Sequence, residues 1–211
     1  MSSDTFISCI IRTMHTHSPL RRGSPPAGGF AHPKRNVGAL DIEPGMHVAD
    51  FGSGSGAYTL AIAERMEGAG HVYAIDIQKD LLRRTANEAA RRGLKNVNVL
   101  WADVEEPHGS KLSNGIMDIV LISNLLFQVS DKHALFSEAR RIMKSVGRLA
   151  VIDWSGSSSS GGQSLGPVKE DIVKKDAAIE LAGKVGFKLC REFNAGAHHY
   201  GLIFRPVAMK E

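Results

Sequence analysis

The sequence predicts an α/β fold: a mostly parallel seven-stranded sheet with helices on both faces and a C-terminal antiparallel hairpin. Three patterns predict it. Short apolar runs alternate with longer segments whose apolar residues recur every three or four positions, the rhythm of βαβ units. The run Ile119-Val120-Leu121-Ile122 has no polar alternation, as a strand buried on both faces requires. The last two runs flank Asn194-Ala195-Gly196-Ala197, a turn short enough to join antiparallel neighbours.

Taken in order, 36–40 is a short helical turn stopped by Pro44-Gly45, and 47–51 is the first strand. A helix follows over 57–67, with Leu60, Ala61, Ala63 and Met66 toward the sheet and Gly68 as its stop. Strand 71–76 closes on an acid, Asp76. Helix 79–92 places Leu81, Leu82, Thr85, Ala86, Ala89 and Ala90 at core spacing before Gly93. Strand 97–102 also runs into an acid, Asp103. Strand 118–124, helix 131–143 and strand 147–154 continue the alternation. The Gly/Ser-rich stretch 155–166 breaks it and is expected as a mobile loop beside the C-terminal edge of the sheet, either a lid or a plain connection. Helix 170–184 and the hairpin strands 188–193 and 200–206 complete the chain.

The 211 residues suit one folded domain, 34–211, behind a flexible basic arm, 1–33. Residues 1–40 carry five Lys/Arg and one Asp, and residues 41–211 carry 21 of each sign, so the net charge of +4 belongs to the arm. A neutral body argues against a large nucleic-acid footprint; RNA remains a minor reading through Arg21, Arg22, Lys34 and Arg35. The arm's composition suits disorder, and Met14 offers an alternative start. Cys9 and Cys190 frame neither a disulfide scaffold nor a zinc site, so no metal is expected. No run of 18 apolar residues occurs, and the run 6–11 is too short for a signal-peptide core. The expectation is a cytoplasmic protein without a membrane span, monomer or homodimer.

The chemistry centres on Asp50-Phe51-Gly52-Ser53-Gly54-Ser55-Gly56, between the first strand and an Ala/Leu-rich helix. Glycines suit such a turn because it needs unusual φ/ψ and because a ligand approaches bare backbone closely. Gly52-x-Gly54-x-x-Ala57 with Asp76 downstream also satisfies a permissive dinucleotide fingerprint, so NAD(P) and an oxidoreductase stay open on that motif. Three features weigh the other way. Asp50 precedes the glycines, where a carboxylate suits a ligand carrying positive charge. Asp103 ends the third strand, where it can accept from a purine amino group. Seven strands fill the chain, leaving no length for a separate substrate domain.

With these motifs in place, residues 36–206 resemble a class I S-adenosylmethionine-dependent methyltransferase with a Rossmann-like fold, of the small-molecule type that includes ubiquinone/menaquinone and arsenite methyltransferases. Asp50 to Gly56 match that family's glycine motif, Asp76 its ribose-binding acid, Ala102-Asp103 its adenine motif, and Ile122-Ser123-Asn124-Leu125-Leu126 the segment beneath the methionine. The resemblance implies S-adenosylmethionine as cofactor, S-adenosylhomocysteine as product and a small-molecule methyl acceptor. It implies that Gly52, Ser53, Gly54 and Gly56 offer backbone amides to the methionyl carboxylate and sugar, and that Asp50 answers the ammonium or sulfonium. Asp76 takes the ribose hydroxyls, with Ile77 beside it; Asp103 takes the adenine amino group, with Val104 on the ring; Asn124 lines the floor.

Candidates for a general base are His198, His199 and Tyr200 on the hairpin, then Asp153 and Trp154 at the end of strand five; the same residues equally suit half-buried structural roles. Arsenite is disfavoured, because the body has Cys190 as its one thiol. A quinone-type acceptor wants an apolar mouth, for which Leu125, Leu126, Phe127 and Trp154 are available. A methyltransferase-like binding protein without activity also stays open.

Overall fold

The computed structural model describes residues 32–156, 158–160 and 163–207. Met14, the apolar run 6–11 and all of the expected arm but its last two residues lie outside these. Pro33 presets the first turn of α1 (Pro33–Val37), so this helix sits three residues earlier than the expected 36–40, and 38–41 follow as turns. Strand β1 (His47–Phe51) and helix α2 (Ala57–Arg65) bracket the glycine loop. Then come β2 (His71–Asp76), α3 (Lys79–Arg91), β3 (Val97–Trp101), β4 (Met117–Ser123), α4 (Lys132–Ile142) and β5 (Met143–Trp154). Strand β5 starts four residues before the expected 147, with a register break against β4 between Met117 and Ile119.

Residues 155–166, expected as a mobile loop, contain a two-stranded antiparallel ribbon instead, β6 (Ser158–Ser160) on β7 (Gln163–Leu165). Its exit is anchored: a Cβ on Gly166 would come within 2.7 Å of the Trp154 ring. Helix α5 is Lys175–Lys184, five residues shorter at its start than the expected 170–184. The reason is a distant partner, since the Val173 carbonyl is taken by the Tyr200 hydroxyl (3.0 Å) rather than by a helical amide. Strands β8 (Phe187–Gly196) and β9 (His199–Pro206) end the fold.

The expected sheet is present: seven strands in the order β3-β2-β1-β4-β5-β9-β8, with β1 to β5 parallel and β9 antiparallel to both of its neighbours, β5 and β8. One face packs Leu135, Phe136, Ala139 and Ile142 of α4 and Ala178 and Ala182 of α5. The other packs Val37 of α1 and Tyr58, Ala61 and Ile62 of α2. Ile119, Val120, Leu121 and Ile122 are all fully buried, as their unbroken apolar run requires. Strand order reverses between β1 and β4, which opens a crevice at their carboxyl ends, where open α/β sheets bind ligands. No helix among the described residues is long and apolar enough to cross a membrane.

Candidate functional site

The three glycines of the loop are all left-handed, with φ of +66° at Gly52, +53° at Gly54 and +78° at Gly56, but their surroundings differ. A Cβ on Gly52 would meet the Leu125 side chain at 2.6 Å, and one on Gly56 would meet Thr85 of α3 at 2.5 Å. Those two glycines let the segment after β4 and helix α3 close against the loop. A Cβ on Gly54 would meet nothing nearer than the Gly52 carbonyl at 4.0 Å, so Gly54 faces open space. The loop amides are not all on offer to a ligand, as the resemblance implied. Ser53 N donates to Ile75 O (3.0 Å), Gly54 N to Asp76 Oδ2 (2.8 Å) and Gly56 N to Ser53 O (2.9 Å). The Ser53 hydroxyl is buried without a partner among the described residues.

Asp50 is buried beneath this loop, and its Oδ2 accepts from the Thr59 hydroxyl at 2.6 Å. Burial pushes its carboxyl up to about 7, the Thr59 bonds pull it down, and the nearby Asp76 adds a smaller push upward. Asp76, at the end of β2, uses each oxygen once: Oδ2 on Gly54 N, Oδ1 on Gln78 N (2.8 Å). The same carboxylate therefore ties β2 to the glycine loop and keeps a second lone pair on each oxygen. Asp103 is exposed, and its Oδ1 accepts from Glu105 N at 2.9 Å. Val104 is buried in the core cluster. The apolar surface next to Asp76 and Asp103 is that of Ile77 and Trp101, 61% and 53% exposed, joined by Trp101 Nε1 donating to Ile77 O at 3.0 Å. Lys79 Nζ lies 3.8 Å from the Trp101 ring centroid.

Beyond β4, Asn124 takes the left-handed conformation at φ +51°, and its Oδ1 is buried without a partner among the described residues. Asp153 holds the following turn. Its Oδ2 accepts from Leu125 N (3.1 Å) and Leu126 N (2.9 Å), and its Oδ1 from Trp154 N (2.8 Å). Burial raises its carboxyl to about 6 against the pull of those amides. Of the apolar residues that follow, Leu126 is fully buried and Leu125 closes on Gly52.

The three hairpin candidates also separate. Tyr200 is committed, its hydroxyl donating to Val173 O, and burial first and the Asp153 charge second push its phenol far up. That removes it as a base and leaves it as a tether for the segment before α5. His198 is half-buried, and its carbonyl accepts from Ser155 N at 2.9 Å. His199 is buried with neither ring nitrogen partnered among the described residues, 4.3 Å from Trp154 between ring centroids. Burial, then the neighbouring His198, pushes it down to about 4. A residue the sequence did not single out joins this end. Asn36 of α1 donates through Nδ2 to both Tyr58 Oη and Ala195 O at 2.9 Å, clasping α1 to α2 and to the hairpin. Asn36 Oδ1 is left buried and without a partner among the described residues.

Residues 42–182 match the family described as "Methyltransferase domain". The chain belongs to this family. Among curated relatives of this methyltransferase-family chain, it is 30% identical over 168 residues to nocamycin O-methyltransferase of Saccharothrix syringae, covering 80% of this chain and 58% of that one. It is 28% identical over 119 residues to a ubiquinone/menaquinone biosynthesis C-methyltransferase of Paraburkholderia phymatum, covering 56% and 47%. The chain thus spans about half the length of these curated relatives. A solved S-adenosylmethionine-dependent methyltransferase of Aquifex aeolicus superposes with a TM-score of 0.74 at 24% identity, covering 83% of this chain and 89% of that one. The methyltransferase fold expected from the motifs is therefore the fold observed.

Proposed function

We propose that this methyltransferase-family chain binds S-adenosylmethionine in the crevice between β1 and β4 and moves its methyl group to a small-molecule acceptor. The observation that carries the reading is Asp76, a carboxylate fixed by the Gly54 and Gln78 amides with lone pairs left for a vicinal diol. The residues present fit such a cofactor. Gly54 provides a cradle that a Cβ would fill, Ser53 Oγ and Asn124 Oδ1 are buried polar atoms in want of partners, and Asp50 supplies an acid below the loop. Asp103 keeps Oδ2 for an amino group, and Ile77 with Trp101 offers the apolar surface for a purine.

When bound, the cofactor supplies a methyl group on a sulfonium, a strong leaving group displaced in line. The chain's own part is alignment and exclusion of water. Asp76 and Asp103 hold the nucleoside end, the Asn124 turn fixed by Asp153 sets the floor, and Trp154 and His199 flank the end where β5 and β9 meet. The family match favours a methyl donor over the NAD(P) that the glycine spacing alone left open. We place the protein in the cytoplasm on its two widely spaced cysteines, as a monomer or homodimer, without nucleic acid as its partner.

Calorimetry on Asp76→Ala tests the reading. A hydrogen bond to a charged group is worth about 1.5–3 kcal/mol, so affinity for S-adenosylmethionine is expected to fall at least roughly tenfold. Unchanged affinity removes Asp76 from the site. Saturating S-adenosylhomocysteine is expected to raise the melting temperature by roughly 5–10 °C, from about 2.7 kcal/mol at a hundred times Kd, while NAD and NADP do nothing.

A further inference from the structure

We propose that two copies of this chain pair edge to edge through β3, antiparallel and centred on Val99, in a homodimer whose two seven-stranded sheets run on as one. The pairing is independent of what the crevice between β1 and β4 binds.

The two edges of the sheet are built differently. Strand β8 carries Lys188, Arg191 and Glu192, and it breaks register against β9 between Leu189 and Arg191 and again between Asn194 and Gly196. Charges and bulges are what keep an edge from adding another strand. Strand β3, Val97-Asn98-Val99-Leu100-Trp101, carries no charge and runs in unbroken register along β2. Val72 N donates to Asn96 O and Ala102 N to Asp76 O, so the even-numbered residues turn their amides and carbonyls toward β2. Val97, Val99 and Trp101 therefore turn theirs outward, and no strand among the described residues takes them up. Lys111 Nζ donates to Trp101 O at 2.8 Å, which leaves that oxygen its second lone pair.

Shape and charge both select a second copy. Val97, Val99 and Leu94, with Ala86, Ala89 and Ala90 of α3, line an apolar groove beside this edge, and Trp101 stands beyond it, 53% exposed. A groove and a projecting ring on one strand complement themselves under a two-fold axis through Val99. Val99 then meets Val99, and Trp101 of each copy lies across from Val97 of the other, at the groove. The charges follow the same axis. Arg91, Arg92 and Lys95 precede β3, whereas Asp103, Glu105 and Glu106 follow it. Arg91 and Arg92 already share Glu88, so Lys95 is the cation on which the match turns. Antiparallel pairing about Val99 sets Lys95 of one copy opposite Asp103 of the other, with both residues exposed. Parallel pairing would set like charge against like. The small side chains of Ala86 and Ala90 also let the two α3 helices approach across the joined edges.

Analytical ultracentrifugation and crosslinking of the full chain test the pairing. Wild type is expected to sediment as a dimer at roughly 100 µM, since interfaces of ordinary size hold at micromolar concentrations or below. Val99→Lys sets like charges against each other on the axis and is expected to weaken the dimer at least roughly tenfold. Val99 is 37% exposed, so the new side chain reaches water in the monomer, and melting curves establish that the variant folds. Added salt is expected to weaken the wild-type dimer, and Lys95→Glu to abolish that dependence. The register is read by crosslinking in a Cys9→Ser, Cys190→Ser background. Val99→Cys places two thiols across the axis on Cα atoms about 5.5 Å apart, and a short bis-maleimide is expected to join them. The same reagent is expected to leave chains carrying Val146→Cys, on β5 and 73% exposed, unjoined. A wild type that stays monomeric at roughly 100 µM, a dimer that Val99→Lys leaves intact, or equal crosslinking through Val146→Cys overturns the inference. So does a monomer that dimerises only when residues 1–31 are removed, which assigns the edge to the arm instead.

Discussion

Asp50→Asn separates the carboxylate's effect on folding from its effect on binding. The side chain is 1% exposed with one hydrogen-bonding side-chain partner, Thr59, at 2.6 Å, and burial lifts its pKa from 3.8 to about 7. A carboxyl whose folded pKa is raised holds its proton more tightly in the folded state. Its contribution to stability is then fully present below pH 4 and lost as pH rises through 7. About three units at 1.36 kcal/mol each is of order 4 kcal/mol of penalty at pH 8. Asparagine has the same shape, accepts from Thr59, and never ionises. For a chain of this size 1 kcal/mol is about 2–4 °C, so the variant is expected to melt several degrees above wild type at pH 8, by less than half as much at pH 5, where about one unit of the shift is felt, and no higher below pH 4. Binding moves the other way. A cationic ligand favours the ionised carboxylate, so wild-type affinity for S-adenosylmethionine rises between pH 6 and 8 with release of a proton, and Asp50→Asn flattens that rise. Differential scanning calorimetry across pH 5–8 and titrations in two buffers of different ionisation enthalpy read both effects. Parallel melting curves for the two proteins across that range would refute the reasoning.

The glycines separate by what each adjoins. Gly56→Ala meets Thr85 at 2.5 Å on top of left-handed strain, and urea denaturation is expected to show a loss of roughly 2–5 kcal/mol, partly recovered by adding Thr85→Ala. Gly54→Ala meets no neighbour and is expected to cost only the roughly 1–2 kcal/mol of strain, yet to weaken S-adenosylhomocysteine binding more than tenfold, because the new Cβ stands in the cradle. Tyr200→Phe removes the bond to Val173 O and is expected to cost about 0.5–1.5 kcal/mol in denaturant melts while leaving cofactor affinity unchanged.

Most of the sheet was legible because strand periodicity is a local property. Strands β1 and β2 match their expected bounds, and β3 and β4 match to within one residue, since apolar runs and glycine stops sit in the segments themselves. The misjudged elements are those whose ends are decided by distant partners. Helix α5 loses its first turn to Tyr200, 27 residues away in sequence, and within 155–166 strand β6 pairs with β7 and Gly166 packs on Trp154, where composition shows little besides Gly and Ser. Asn36 illustrates the same limit, because nothing at 36 announces hydrogen bonds to residues 58 and 195.

The candidate site divides along the same line. Each acid at a strand end is visible in sequence, but its work depends on what burial does to it. Asp76 and Asp50 share the glycine loop, yet Asp76 is stitched to the amides of two different residues at its edge, while Asp50 is buried beneath it on Thr59 alone. The first is thereby a fixed acceptor, and the second a carboxyl that titrates near neutrality. His199 and Tyr200 are adjacent in sequence and alternate across strand β9, so one ring packs on Trp154 with nitrogens unpartnered among the described residues and the other spends its hydroxyl on Val173. Their ordinary chemistry would rank the tyrosine as the hydrogen-bond donor and the histidine as the base. Burial changes both. The tyrosine spends its donor on Val173 O, and the histidine is held in its neutral form beside Trp154.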